Sequence, residues 1–170
     1  MEWTGVRYAD GPTVEVDTWV DAPPEVVWGV VSDVTVMPEM SDELATASWT
    51  DPTTPPGVGS TFVGTSKHDA LGEWSTTSHV VEWDPPRRFA WAVEDADTPS
   101  SLWRFTLDAK DGGTLLRQWM RIGPGRSGLS FAIDAMPDKE QKIVFVRMRE
   151  FEKAMSRTVA DIKRRVEAVG

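Results

Sequence analysis

DKEQKIVFVRMREFEKAMSRTVADIKRRVEA, residues 138–168, decides the fold. Val144, Met148, Phe151, Met155, Val159, Ile162 and Val166 recur at steps of three and four, which on a helix is one apolar face. Asp138, with Gln141 three residues on, fits an N-cap and its box partner, so the spacing predicts one helix from there to about Ala168. Such a helix is ~45 Å long at 1.5 Å per residue. It needs a partner surface, because an amphipathic helix draws most of its stability from packing its apolar stripe.

The upstream sequence supplies that surface as β-strands. Val14–Asp21 alternates with period two, and Ala22-Pro23-Pro24 stops it. Glu25–Ser32 then reads as a short helix entered through proline, and Val36–Ser41 as a second short helical turn. Strands are predicted at Leu44–Thr50, Ser60–His68, Glu73–Trp83, Arg88–Glu94, Leu102–Leu107 and Thr114–Ile122. Turn signals separate them at Asp69–Gly72, at Asp84-Pro85-Pro86 and, most strongly, at Asp111-Gly112. Consecutive strands with short connections make an antiparallel meander. The expected fold is α+β: a curved seven-stranded antiparallel sheet wrapped around the long C-terminal helix, with two short helices after the first strand, in one domain spanning 1–170. A bent sheet and a narrow helix leave room between them, and that room is the expected pocket. Gly123–Gly128 reads as a tight turn or a mobile lip over it, and residues 129–137 as a short helix or an ordered loop.

Composition removes several kinds of chemistry. There is no cysteine, so thiol nucleophiles, disulfides and Cys-type zinc sites are excluded. With two histidines and no helical His-x-x-x-His pair, no metal site is expected, and no cofactor. The formal net charge is −9, which repels nucleic acid and anionic lipid unless a local basic patch intervenes. From Asp138 onward nine Lys/Arg face six Asp/Glu, a balance of +3, so the rest of the chain carries −12. That contrast marks a solvated helix face or a docking surface for an acidic partner. Without a basic, apolar start or an ~18-residue apolar run, the chain reads as cytoplasmic and not membrane-inserted.

Seven of the nine tryptophans fall on predicted strands. Alternation places Thr77, His79, Val81 and Trp83 on one face, against Ser78, Val80 and Glu82. Phe62 shares a face with Gly64, Ser66 and His68. Trp91 goes with Phe89 and Val93, Trp103 with Phe105 and Leu107, and Gln118 with Leu116, Met120 and Ile122. If these are the concave faces, Phe62, Val81, Trp83, Trp91, Trp103, Phe105 and Met120, with Met148 of the helix, form an apolar wall. Ser66, His68, Thr77, His79 and Gln118 are its sparse polar points, and His68, near a turn, is expected to be wet. His79 is the candidate general base and Gln118, with Ser66, the candidate donor to an enolate oxygen. Arg147 is placed to clamp a ligand carboxylate if it points to the sheet, and otherwise to form an ion pair or face solvent.

The order of elements resembles the helix-grip fold of the START-like (SRPBCC) superfamily. Val16–Asp33 with its Asp-Ala-Pro-Pro-Glu-Val-Val-Trp core, Gly59–Gly64, Trp74, Val81–Phe89, Gly123–Gly128 and the terminal helix resemble its polyketide cyclase/dehydrase subgroup. The resemblance implies a cavity for a hydrophobic small molecule, lipid or polyketide-like. It also implies two alternatives: a cofactor-independent cyclase, dehydratase or isomerase using the same cavity, or a protein-interaction module. The expected partner is a hydrophobic ligand, and a homodimer is accommodated.

Overall fold

The computed structural model describes residues 1–169. Seven strands, β1 (Thr13–Val20), β2 (Leu44–Trp49), β3 (Thr61–His68), β4 (Gly72–Asp84), β5 (Arg88–Val93), β6 (Ser101–Lys110) and β7 (Gly113–Ile122), form one antiparallel sheet. Its order is β1-β7-β6-β5-β4-β3-β2. The first strand thus pairs with the last, and β1 and β2 are opposite edges. The connection between them, α1 (Pro24–Val31) and a 3-10 turn (Val34–Met40), must cross the sheet from one edge to the other. Two further helices follow, α2 (Gly128–Ala135) and α3 (Glu140–Val169). Among the described residues, no helix is long and apolar enough to cross a membrane.

Local chemistry explains these elements. Pro24 occupies the first turn of α1, where a missing N–H costs nothing. Asp33 accepts the Thr35 N–H at 3.0 Å and starts the 3-10 turn. Asp111 (φ 51°) and Gly112 (φ 78°) are both left-handed, the requirement of a type I′ hairpin between β6 and β7. At Gly113 a Cβ would overlap the Val20 carbonyl and lie 2.7 Å from the Trp19 ring, so glycine lets the end of β1 close onto β7.

The start of the long helix differs from expectation. A 3-10 turn, Pro137–Lys139, precedes α3, and Asp138 sits inside that turn instead of capping the helix. Proline sets the φ that opens the turn, so the chain is already coiled where the capping pattern places an extended residue. Residues 128–135 are helical, and the glycine-rich segment before them is fastened. Tyr8 Oη donates to the Gly125 carbonyl at 2.6 Å, a Cβ on Gly125 would overlap the Thr98 carbonyl, and Leu129 and Ser130 are buried.

The interior between sheet and α3 falls into two clusters. One joins α1, the 3-10 turn and Val159, Ile162 and Val166 of α3 to the rings of Phe62, Phe89, Trp91 and Phe105. The other joins Val14, Met120, Ile122 and Leu129 to Val144, Met148 and Met155. Val16 and Trp103 touch both.

Candidate functional site

Strand parity sets which side chains reach the interior, and one irregularity in β4 reverses it. Val80 pairs with Trp91, but Glu82 pairs with Ala90, so Val81 is an extra residue in a bulge. On one side of the bulge Ser78 and Val80 are buried; on the other Trp83 packs on Trp28 and Phe89. Trp74 and Ser78 therefore share the concave side with Trp83. Thr77, His79 and Val81 lie on the convex side, which corrects their expected place in the cavity wall. Val81 is 38% exposed. His79 Nε2 donates to the Glu94 carbonyl at 3.0 Å on the outside of the sheet, so it cannot act as a base on an interior ligand.

The other predicted strand residues face inward. Phe62, Trp91, Phe105 and Met120 are buried, and Trp103 is half-buried opposite Trp91 in the β5–β6 register. The Trp91 and Trp103 rings are nearly parallel (6°) with centroids 6.3 Å apart. The edge of Phe151 meets Trp103 at 5.5 Å, and Trp103 Nε1 donates to Ser101 Oγ at 2.9 Å. Ser66 keeps the parity of Phe62 and pairs with Leu44 and Trp74. Trp28, Trp49 and Phe89 complete the aromatic end.

Gln118 sits where the two clusters meet. It lies opposite Val16 of β1 and Phe105 of β6, between Leu116 and Met120 on its own strand. It is 6% exposed, and its carbonyl Oε1 has no hydrogen-bond partner among the described residues. Leaving such an acceptor buried and unpaired costs ~1–3 kcal/mol.

A charged array closes the β3 side. Arg147, 7% exposed, donates from Nη1 and Nη2 to the two oxygens of Glu43, both at 2.7 Å, and stacks 4.1 Å from the Phe151 ring. The arginine does point inward, but its fork is filled by Glu43. Glu150 Oε1 is 3.9 Å from the same guanidinium. His68 is not wet: its Nδ1 accepts the Ala70 and Leu71 N–H groups at 3.0 and 3.2 Å. Its proton is therefore on Nε2, which donates to Glu150 Oε2 at 2.6 Å. Glu43 and Glu150 carry no sequence signal for this role, because Glu43 reaches its partner across 104 residues.

Two concavities lie outside the sheet–helix interior. One, of 380 Å³, is bounded by residues 1–6, the start of β1 and Val144, Phe145 and Met148 of α3. The other, of 450 Å³, lies on the outer side of α3. The interior expected to stand open is occupied by indoles and phenyl rings at one end and by methionines at the other. Val144 and Met148 line the smaller concavity and also belong to the methionine cluster, so these two side chains separate it from the interior.

A curved antiparallel sheet gripping its C-terminal helix over an aromatic interior defines a helix-grip protein. The chain belongs to the polyketide cyclase/dehydrase and lipid transport family, which matches residues 11–167. Among solved structures it is similar to the polyketide-cyclase-like protein Cgl2372 of Corynebacterium glutamicum, with 27% identity, a TM-score of 0.66 and 92% of each chain covered. It also shares its fold with the Zhui aromatase/cyclase of Streptomyces sp. R1128 (20% identity, TM-score 0.61, 94% of this chain and 98% of that one). The di-domain aromatase/cyclase BexL is alike in fold over 89% of this chain and 48% of its own (14% identity, TM-score 0.63). No curated protein matches the chain in sequence.

Proposed function

We propose that residues 1–170 act as one unit that binds a flat, hydrophobic small molecule, lipid or polyketide-like, between the sheet and α3. The ligand lies at the methionine end, against Trp103, Phe105, Met120 and Met148. The observation that carries this reading is Gln118 Oε1, an acceptor kept buried and unpaired between the two clusters. A side chain held there at a cost to stability is explained by a ligand donor, a hydroxyl or N–H, that completes it. Entry needs the methionines to repack, which their unbranched side chains allow. The family and the aromatase/cyclase folds support the ligand class.

Tryptophan fluorescence titration with aromatic polyketide-like phenols and with fatty acids tests it. Trp103 should respond to the phenols. Gln118→Leu should weaken binding about tenfold while leaving stability equal or raising it by about 1 kcal/mol. No fluorescence response to any of these compounds in folded protein would overturn the proposal.

A second reading, turnover of the ligand, is favoured by one contact. His68 and Glu150, hydrogen-bonded at 2.6 Å beside Arg147, are a pair able to pass a proton at the edge of the interior. His68→Gln would then abolish turnover with affinity kept, whereas loss of affinity alone marks simple binding.

A further inference from the structure

The solvent face of α3 carries a basic row. At 100° per residue, Lys142, Val146, Arg149 and Lys153 fall within a wedge of about 60° on the side away from the sheet. All four are exposed, and Lys139 precedes them, exposed, in the 3-10 turn. Among the described residues, Lys139, Lys142, Arg149 and Lys153 make no ion pair. The acids of the same stretch are engaged elsewhere: Glu140 with Arg7 at 3.0 Å, Glu150 with His68 at 2.6 Å, and Glu152 with the terminal amine at 3.3 Å. Nearby, Asp134 is paired with Arg126, while Asp138 and Glu2 are exposed acids that make no ion pair among the described residues. In a chain of net charge −9, a row of unneutralised cations is a local inversion of the field.

Apolar side chains stand bare within the row and in the segment that leads into it. Phe131 of α2 is 70% exposed, Met136 41% and Val146, within the row, 47%. Cations one or two helical turns apart, with exposed apolar side chains in the row and in the segment before it, match an anionic lipid surface: the charges meet headgroups and the apolar groups leave water for the acyl boundary. The −12 carried by residues before Asp138 repels the same surface, which orients the docking.

We propose that this ridge, Lys139 to Lys153 with Phe131 and Met136 at its end, docks the protein on anionic bilayer surfaces. The inference is independent of what the interior holds. Co-sedimentation with vesicles of phosphatidylcholine alone, and of phosphatidylcholine containing phosphatidylglycerol, tests it without any interior ligand. The full chain should sediment with the anionic vesicles only, and release as salt rises. Lys142→Glu/Arg149→Glu/Lys153→Glu should lower the bound fraction at least about tenfold. Phe131→Ser should lower it by a smaller factor. Lys110→Glu, in the β6–β7 hairpin, should leave it unchanged. Circular dichroism and the melting temperature should be those of the parent in every variant, since the altered side chains are exposed. The proposal is overturned if the parent ignores anionic vesicles, if it is retained by heparin or an acidic protein but not by those vesicles, or if Lys110→Glu releases it as fully as the triple variant.

Discussion

The two ends of the interior are made of different materials. At the end capped by α1, Phe89 neighbours four rings, with centroids of Trp91 at 4.9 Å, Trp83 at 5.1 Å, and Trp28 and Phe62 at 6.5 Å, two of them edge to face and two tilted. Rings so arranged have few alternative packings, since each depends on the angle of the next. At the other end Met120, Met148 and Met155 fill the space, with Trp103 the ring they share with the aromatic end. Methionine has three rotatable bonds and fills irregular gaps, so the second end can rearrange at low cost. One protein thus holds a rigid keel and an adaptable chamber under a single helix. Gln118, the unpaired buried acceptor, marks the boundary between them.

The contrast is broken most directly at Phe89. Phe89→Ala should destabilise by about 3–5 kcal/mol in urea unfolding, because its neighbours cannot collapse into the gap. A loss near 1 kcal/mol would mean that the aromatic end is as soft as the other. Next comes the charged edge that holds α3 over β3. Glu43→Ala strands the Arg147 guanidinium and should cost about 2–3 kcal/mol, less than a fully buried pair because Glu43 keeps some contact with water. Adding Arg147→Met should recover most of that. If the double variant is as unstable as the single one, the pair is not what fastens the helix there.

Met120→Leu sharpens the comparison from the soft side. It should cost less than about 1.5 kcal/mol by the same unfolding measurement, although Met120 is as buried as Phe89. A cost matching that of Phe89→Ala would remove the distinction. The smallest effect lies on the surface. Asp51 accepts hydrogen bonds from the Thr53 and Thr54 hydroxyls and the Thr53 N–H, which lower its pKa to about 2 from 3.8. Its contribution is therefore complete above the unfolded value and fades as pH falls from about 3.8 towards 2. An NMR titration should show Thr53 and Thr54 unchanged at pH 4 and shifting near pH 2, and a Thr53→Ala variant should titrate higher.

Much of this molecule is written in local pattern. The apolar stripe from Val144 to Val166 and the left-handed pair Asp111-Gly112 lead to α3 and the β6–β7 hairpin without reference to anything distant. Parity along β3, β5, β6 and β7 places Phe62, Trp91, Trp103, Phe105 and Gln118 inward as the sequence predicts. It fails at β4, where a single inserted residue, Val81, exchanges the faces on either side of it. The adjacent apolar pair Val80-Val81 is the sole sequence hint of a break. His79 consequently lies outside, and Trp74 and Ser78 come inside. The partners of Arg147 and His68 are beyond any local signal, because Glu43 and Glu150 meet them only once α3 has crossed the sheet.

Sequence by itself determined what is periodic: the long helix, the strands, their turns, the excess of positive charge toward the C-terminus. Each follows from neighbours a few residues apart, whose backbone and solvation preferences act before any tertiary contact forms. Only the tertiary structure decided whether the interior is open or filled, which charges find partners and which cations stay bare on α3. These depend on volumes and distances between segments far apart in the chain, and a bulge of one residue is enough to redirect them.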